Sequence, residues 1–579
     1  MGGGRTTGRG WILPGLAIFL ALGWIAERAE KFGAARKRFR DPAVPAAMLN
    51  RGSLGAALRE LRMVKPAPND LSIHLPSPHQ KAGLDANLFQ KKRKIGATLY
   101  VANPTWAVEL AEHAEPKKPW IDPEWIREGW VLVAAEISEK DLSDPTWGIE
   151  RNYEGHGREW ERPAALAIRY PDGQTSGTLA GMRLHGGRSR EPVHRHSYRI
   201  HFREALGHVS LPRGEALGPE WEGLRRAVVR IEGSTNHPFS GELSYAAAEL
   251  VGCVVPLTHP ARFALNGKLS PEAYCLTEQV DRSSWARRLG HKNFLMYFMK
   301  AQQESRADKA YGEFRRKVVY GAAPLDMEEM EALADLDNLS AYILSVAYCG
   351  TTDGFQGAAL MDLEAKTPRW AWINWDMDHG FVDYYAERFP PRAPWEQESW
   401  ELAYKREGFR NYASWRIQGD VRSILFSRLM DESPAYRERF LRFASDALNH
   451  RLTEENLEGP IARMEKLAKG VGGQRMESFG EYREFVRRRP ELLRQGLASL
   501  FGAGPARRVE VDLPAGAWAT IDGYRRRGTY VGHYFEGQEI ELVGDEGGGI
   551  RGWAVEGGRE YPGRRVKIAI DGDMRIGPA

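Results

Sequence analysis

Cysteine is scarce in this chain, which holds three (Cys253, Cys275 and Cys349) among 579 residues. Three cysteines are too few for disulfides to stabilise a chain of this length. The sequence also has no Cys-x-x-Cys pair, which is the usual signature of a structural zinc site. One disulfide among the three stays open, so cysteine content does not identify the redox compartment. The sequence therefore predicts a fold held by its hydrophobic core.

An excess of charge of one sign is also lacking. The chain carries 81 Lys and Arg against 77 Asp and Glu, a formal net charge of +4. Proteins dedicated to nucleic acid concentrate positive charge, so we expect no nucleic-acid partner. We also find no fixed period, so the 18 tryptophans indicate large buried platforms or sheet faces rather than a repeat.

Long hydrophobic runs are confined to residues 11–26, which carry no charge and follow Arg5 and Arg9. The run is shorter than the roughly 20 residues of a typical membrane-spanning helix and longer than most signal-peptide cores. We interpret residues 1–27 as a signal anchor or transmembrane helix; a cleaved signal peptide and a buried helix are the alternatives. The protein is then expected to be membrane-anchored with its soluble part outside the cytoplasm. Basic residues within 36–40 leave the orientation open.

Periodicity predicts an α+β fold. Strand-like runs at 131–137, 164–170 and 197–203 come first, helical spacing follows at 283–299 and 327–348, and regular βαβ alternation is missing. Residues 411–500 read as mostly helical, and the last seventy or so alternate apolar and polar positions. The expected domains are an N-terminal segment (1–27), a helix near 46–61 with a linker (28–94), a catalytic core (95–410), a helical extension (411–503) and a small all-β module (504–579).

A glycine-rich turn is the first candidate site. A strand runs into His185-Gly186-Gly187-Arg188-Ser189-Arg190, and a second strand returns through Arg195. Paired glycines free backbone N–H groups, and arginines supply charged donors, so the turn can cradle phosphate oxygens. A plain hairpin with a solvated basic face is the alternative. In the returning strand, Tyr198 and Ile200 share one face, and Arg199 shares the other with His201.

A second candidate begins at Asn266-Gly267, which predicts a type I′ hairpin turn between two apolar strands. Glu278 then stands where the second strand gives way to a helix. A helix-start carboxylate with no partner beyond the helix dipole is the alternative.

Acidic residues form the third and strongest candidate. Asp335 and Asp337 precede a helix that ends near Cys349-Gly350, and Asp353 and Gln356 lie in the loop beyond it. The strand WAWINW then delivers Asp376 and Asp378, two residues apart and so on one side of an extended segment. Oxygen-only groups of this type suit Mg²⁺ and substrate phosphates. Asp353 could orient a hydroxyl nucleophile while Asp376 holds the metal, as in phosphoryl transfer.

The order of these segments resembles the CotH kinase family, which is named for a spore-coat protein and is distantly similar to protein kinases. The resemblance spans roughly residues 95–400 and rests on AGMRLHGGRSR, HSYRIHFRE, the NG…YCLTE unit, DLDNLSAYILSVAYCGTTD and WINWDMDHGF. It implies a protein-kinase-like catalytic domain, ATP with a divalent metal, for which Mg²⁺ is expected, and transfer of phosphate to an unidentified protein substrate. The N-terminal segment adds the expectation of a place in the bacterial envelope. By position the resemblance implies Asp353 as the catalytic aspartate, Asp376 as the metal-binding aspartate and Glu278 near the nucleotide. With the chemistry of the candidate segments added, we expect Asp378 and Gln356 to assist Asp376 at the metal. The expected nucleotide contacts besides Glu278 are Gly186, Gly187, Arg188 and Arg195.

Two positions depart from the family pattern. Arg195 stands where the family commonly has Lys, and Gln356 is the amide available where the family tends to carry Asn. Arg does not reproduce the point charge of Lys. A catalytically weak or inactive envelope or surface scaffold is therefore the alternative function. The C-terminal module is similar to small β-repeats of bacterial surface proteins.

A metal hydrolase using His185, His194, His196 and His201 is disfavoured. His194 and His196 share one face of a strand and His201 lies on the other, so three ligands do not converge without a bend.

Overall fold

A computed structural model describes most of the chain beyond residue 120. The described residues are 121–192, 195–206, 208–231, 237–298, 305–351, 355–382, 393–396, 400, 420–471, 475–546 and 549–579, together with strands 72–74 and 94–96. The hydrophobic run 11–26 and the expected helix 46–61 lie outside them. In the described part, no helix has the length and apolar character needed to cross a membrane.

The chain divides into two compact units, residues 1–115 with 156–161 and residues 116–155 with 162–579. In the first unit, β1 (Ser72–His74) pairs with β2 (Lys94–Gly96) in antiparallel fashion. All further elements belong to the second unit.

Seven strands of the second unit close into a β-barrel. They are β3 (Val131–Ile137), β4 (Arg162–Arg169), β5 (Thr175–His185), β6 (Ser197–His201), β7 (Arg226–Ile231), β8 (Thr258–Leu265) and β10 (Tyr274–Glu278). Their order is β10-β7-β6-β5-β4-β3-β8, and β8 pairs with β10 to close the ring. The β3–β8 pair is parallel and the other barrel pairs are antiparallel.

Alternation along the strands fills the barrel with apolar side chains. Val133, Leu166, Met182, Ile200 and Phe263 are among its fully buried members. The short strand β9 (Lys268–Leu269) returns from β8 through Asn266-Gly267, where φ is +48° and +71°. Positive φ at both positions confirms the predicted type I′ turn.

A helical region with a second sheet follows the barrel in the chain. The antiparallel sheet contains β11 (Phe294–Phe298), β12 (Ala358–Asp362) and β13 (Trp370–Ile373). The helices are α1 (Glu139–Ser143), which lies between two barrel strands in sequence, α2 (Ser240–Leu250), α3 (Arg282–Leu289), α4 (Arg306–Tyr320), α5 (Met327–Leu333), α6 (Leu336–Cys349), α7 (Val421–Glu432), α8 (Pro434–Asp446), α9 (Glu454–Lys469) and α10 (Ser478–Phe501). A π-helical turn, Ala447–Arg451, follows α8.

The predicted helix over 283–299 is wrong beyond residue 289. Gly290 adopts the left-handed conformation (φ +77°) and ends α3, and the run FLMYF becomes β11. Aromatic and apolar residues in unbroken sequence suit a strand that is paired along its length with β12. The predicted helix 327–348 is likewise two helices, because Asp335 caps the start of α6.

The C-terminal residues form an all-β module, as the alternation predicts. One sheet has the order β17-β14-β22-β19-β20 and the other β16-β15-β18-β21. The strands are β14 (Ala506–Asp512), β15 (Trp518–Ile521), β16 (Tyr524–Arg527), β17 (Thr529–Phe535), β18 (Glu539–Gly544), β19 (Gly552–Val555), β20 (Arg559–Pro562), β21 (Arg565–Ala569) and β22 (Met574–Pro578). The sheets share a core of their own that includes Trp553 and Ile540.

All three cysteines are buried free thiols, so the structure contains none of the disulfides that the sequence left open.

Candidate active site

Two carboxylates after β13 share one guanidinium group. Nη2 of Arg230, on β7, lies 2.6 Å from Oδ1 of Asp376 and 2.9 Å from Oδ2 of Asp378. The Arg230 side chain is 18% exposed, so this contact is largely shielded from water. The structure therefore brings Asp376 and Asp378 together around a cation, and that cation comes from the barrel.

The turn that carries the two aspartates is held by α2 and by the end of α6. Asp376 adopts φ +62°, an uncommon value for a residue other than glycine, and its N–H donates to Oη of Tyr245 at 3.0 Å. Oγ of Ser240 donates to the Asp378 carbonyl at 2.8 Å, and the Phe381 N–H donates to the Cys349 carbonyl at 2.8 Å. These bonds explain how the left-handed backbone at Asp376 is maintained.

The strand that precedes the turn is fixed by one buried amide. Asn338, on α6, donates from Nδ2 to the Trp372 carbonyl at 3.1 Å and accepts the Trp372 N–H on Oδ1 at 2.6 Å. The side chain thus mimics a neighbouring strand and positions the exit of β13 against α6.

Charge balance keeps the Asp378 carboxylate ionised. Burial by itself would raise the pKa of this carboxyl group, but the Arg230 and His379 charges and hydrogen bonds lower the pKa below its ordinary value overall. Burial raises the pKa of Tyr245, so its hydroxyl stays protonated while it accepts the Asp376 N–H.

Next to this pair, the outer surface of the barrel is basic. Arg183 on β5 is directly opposite Arg199 on β6, and His201 on β6 is directly opposite Arg226 on β7. Like charges directly opposite each other on a sheet are destabilising. Burial lowers the pKa of Arg199 to about 10, and the other arginines reinforce the shift. A recessed surface with this arrangement suits an anionic ligand such as phosphate.

His185 connects the basic surface to the acidic pair. Its Nδ1 accepts from Nη2 of Arg199 at 2.8 Å. Burial, and then the Arg199 and Arg230 charges, lower the pKa of His185 well below its ordinary value, although Asp376 acts in the opposite direction. The imidazole is therefore neutral near pH 7 and carries its proton on Nε2, where it can donate to a ligand.

The glycine turn lies at the end of β5. Gly186 adopts φ +110°, and a Cβ there would collide with Oγ of Ser189, so glycine is required. Gly187 has open space where a Cβ would be. The turn continues as a short helical turn, Arg188–Arg190, and the buried guanidinium of Arg190 donates to the Gly155 carbonyl. Gly187 is therefore exposed to solvent, and no neighbouring atoms crowd its backbone on the side where a Cβ would be.

Arg195 and Glu278 have partners of their own. Arg195 is 66% exposed and lies 3.0 Å from Glu272. The Glu278 carboxylate has no exposed surface; Oε1 lies 2.9 Å from Nη2 of Arg287, and Oε2 accepts from Arg288 and, at 3.2 Å, from the Leu257 N–H. These pairs attach Glu278 to α3 and to the start of β8.

Asp353 lies outside the described residues, but described residues before and after it are anchored by buried arginines. Before it, Arg489 of α10 donates to the carbonyls of Ala347 at 2.6 Å and Tyr348 at 3.0 Å. After it, Arg422 of α7 donates to the carbonyls of Phe355 and, at 3.1 Å, Gln356. Gln356 is 5% exposed.

The chemistry of the donors fits a hard divalent cation. Asp376 and Asp378 offer only oxygen, and a positive group already lies between them. The described residues contain no group of three or more His, Cys, Asp or Glu that could hold a metal ion. Mg²⁺ bound by these two carboxylates would complete its shell with water and phosphate oxygens. A three-histidine hydrolase site does not form in this part of the chain either.

The basic barrel surface and the adjacent carboxylate pair are the arrangement expected of a protein that takes an anion beside a cation. A family described as CotH kinase protein matches residues 182–488, more than half of the chain. The chain belongs to this family. No curated protein matches the sequence.

Sequence reasoning missed Arg183, Arg199 and Arg230 as site residues. Arg230 is 146 positions from Asp376 in the sequence, and no local motif marks it. The alternation that separates Arg199 from the barrel core was visible, but the strand register that puts Arg183 opposite it was not.

Proposed function

We propose that this protein transfers the γ-phosphate of ATP to a protein hydroxyl group with Mg²⁺ as the metal. The observation that supports this most directly is the convergence of Asp376 and Asp378 on a cation position beside the basic surface of the barrel. Family membership adds the kinase class. Phosphoryl transfer depends mainly on positioning and charge neutralisation, which these groups supply.

Each group has a distinct role in this proposal. Asp376 and Asp378, with Gln356 as a further oxygen donor, would hold Mg²⁺, which supplies charge neutralisation on the phosphate oxygens. Arg183 and Arg199 face the phosphates, and neutral His185 donates from Nε2. The Gly186-Gly187 turn offers backbone donors at the end of β5, and Arg188 is included as a further charged contact on the strength of its place in the sequence. Asp353 accepts the proton of the acceptor hydroxyl.

Transfer of radiolabelled phosphate from ATP tests the proposal. We expect the full chain with ATP and Mg²⁺ to label itself or a serine-rich acceptor protein such as casein. Asp353→Asn and Asp376→Asn should each reduce the rate about 100-fold or more, because they remove the base and a metal ligand. Asp172→Asn is the matched control, since Asp172 pairs with Arg213 in an exposed position. Equal labelling in all four proteins would contradict the proposal.

A non-catalytic envelope scaffold is the second candidate. The observation in its favour is that Arg230 already contacts both carboxylates and places one positive charge between them, so the fold holds them together without a metal. A rise in melting temperature with ATP and Mg²⁺, without any phosphate transfer, would favour this function.

We also propose that the protein acts in the bacterial envelope, attached to the membrane through residues 1–27, with a protein as its partner. The apolar run at 11–26 supports the attachment, and a family named for a spore-coat protein supports the envelope. Separation of membrane and soluble fractions tests the attachment, using cells that express the full chain or a version starting at residue 28. We expect the full chain in the membrane fraction and the shorter form in the soluble fraction.

A further inference from the structure

Arg230 holds the position that a divalent cation would need. One nitrogen, Nη2, contacts both Asp376 and Asp378, at 2.6 and 2.9 Å. The other ion pair of β7 is different in kind, because Arg226 lies 2.7 Å from the single carboxylate of Asp281 and is 39% exposed. Arg230 is thus a largely shielded arginine shared by two acids.

This contact has a physical cost for metal binding. Two carboxylates that converge repel each other unless a cation lies between them. A guanidinium supplies that charge from within the chain, at no cost in ordering a free ion. A metal ion must then replace the guanidinium at both oxygens, and its apparent affinity falls by the fraction of molecules in which the position is taken.

We propose that Arg230 is the resident counter-ion of this site and competes with the divalent cation for Asp376 and Asp378. The proposal rests on the proposed function in taking these two aspartates as the metal ligands. Metal binding requires the Arg230 side chain to leave them, and Arg230 therefore determines how tightly the site takes a metal.

The turn itself is compatible with such an exchange. The backbone around Asp376 and Asp378 is held by Tyr245 and Ser240 on α2, and neither bond involves Arg230. Departure of the guanidinium removes the charge between the carboxylates and leaves the hydrogen bonds that place them. The backbone positions of Asp376 and Asp378 therefore need not change when a metal replaces the guanidinium.

Titration of the full chain with Mn²⁺ alone, in the absence of nucleotide, tests the proposal. Free Mn²⁺ is measured by its electron paramagnetic resonance signal. Arg230→Gln removes the competing charge, and we expect Mn²⁺ to bind about tenfold or more tightly than in the unaltered protein. The double variant Arg230→Gln with Asp376→Asn should lose this gain. Mn²⁺ should also raise the melting temperature of Arg230→Gln more than that of the unaltered protein.

Arg226→Gln is the matched control, because it removes the same charge from the same strand without touching the aspartates. Equal gains in Arg226→Gln and Arg230→Gln would show a general charge effect and overturn the proposal, as would an unchanged affinity in Arg230→Gln. If Arg230→Gln does not fold without metal, Arg230→Lys replaces it. Lysine keeps the charge, but its compact, strongly hydrated ammonium on a flexible stem holds the two acids less firmly than the planar guanidinium does. A smaller gain is therefore expected, and no gain would be contradictory.

The outcomes separate this inference from the proposed function. Tight Mn²⁺ binding that survives in the double variant would show that Asp376 is not a ligand, which removes the metal assignment of the proposed function. Absence of phosphate transfer together with the expected Mn²⁺ results would contradict the kinase activity and leave the role of Arg230 intact.

Discussion

The partners of the buried Glu278 carboxylate affect how any variant of this residue is interpreted. Glu278 was assigned to the nucleotide by resemblance, and that assignment stays a prediction. The structure gives its carboxylate two arginines, Arg287 and Arg288, and a backbone N–H. Removing one member of such a buried group is strongly destabilising. Loss of activity in a Glu278 variant would therefore not by itself locate the nucleotide.

His201 predicts how stability depends on pH. Burial comes first among the causes that lower its pKa well below the ordinary value, and the charges of four arginines add to it: Arg183, Arg203, Arg226 and Arg199. The folded protein keeps this imidazole neutral, whereas the unfolded chain takes up a proton below about pH 6.5. The contribution to stability is therefore complete above that pH and is lost as the pH falls.

We expect His201→Gln to flatten the pH dependence of the unfolding free energy. Between pH 6.5 and 5 the unaltered protein should lose up to about 1.4 kcal/mol per pH unit from this residue alone. Urea unfolding at several pH values measures the slope. The exposed His208→Gln serves as control, and the same slope in both variants would contradict the assignment.

At the scale of elements, the described residues on both sides of Asp353 are held by two helices far along the chain. Arg422 at the start of α7 is fully buried, stacks on Tyr342 and Phe355 at 4.6 and 5.1 Å from their ring centres, and pairs with Asp420 at 2.8 Å. The same guanidinium donates to two carbonyls after Asp353. A planar group with five donors is needed to satisfy all of these partners.

We expect Arg422→Lys to loosen the loop without unfolding the protein. Lysine retains the charge but cannot bond both carbonyls and the carboxylate together. Hydrogen exchange followed by mass spectrometry should show faster exchange in peptides covering residues 350–357. Arg428→Lys on the same helix is the control, because Arg428 anchors a different part of the chain: it pairs with Glu432 and donates to carbonyls within residues 318–322. Unchanged exchange in Arg422→Lys would refute the anchoring role.

Several elements could be predicted because their signals are local. The strand 131–137 and the Asn266-Gly267 turn follow from alternation and turn chemistry, and both are confirmed. The prediction of one helix over 283–299 was wrong because the apolar residues near its end fit the spacing of a helix or of a strand. Pairing with β12 makes residues 294–298 a strand. Asp376 and Asp378 were identified as a pair, but Arg230 was not, since only the fold brings it near.

At the scale of the molecule, the C-terminal module joins the helical region through a polar contact. Asn449, in the π-helical turn, donates from Nδ2 to the His533 carbonyl at 2.9 Å and accepts the His533 N–H at 3.0 Å. Next to it, the His450 ring stacks between Tyr524 and Tyr530, at 4.3 and 5.3 Å between ring centres. The sequence predicted the module but not this attachment, because its residues come from separate segments.

We expect Asn449→Ala to uncouple the module. The substitution leaves a partly buried N–H and a carbonyl of His533 without the Asn449 side chain, at a cost of about 1 kcal/mol or more. Calorimetry should then show the C-terminal module unfolding separately from the rest. Ser499→Ala, on α10, is the control, because its hydroxyl bonds only within its own helix among the contacts described. A single transition at an unchanged temperature would contradict the coupling.

The parallel seam between β3 and β8 has a consequence for synthesis of the chain on the ribosome. Residues 131–135 pair with residues 261–265. The ring closes only when β10, which ends at residue 278, pairs with β8. Contacts between such distant positions form slowly, because a long loop must close first. The apolar strands made earlier therefore stay unpaired and exposed until almost half of the polypeptide has been synthesised. During this interval the nascent chain is most prone to aggregate and most in need of a chaperone.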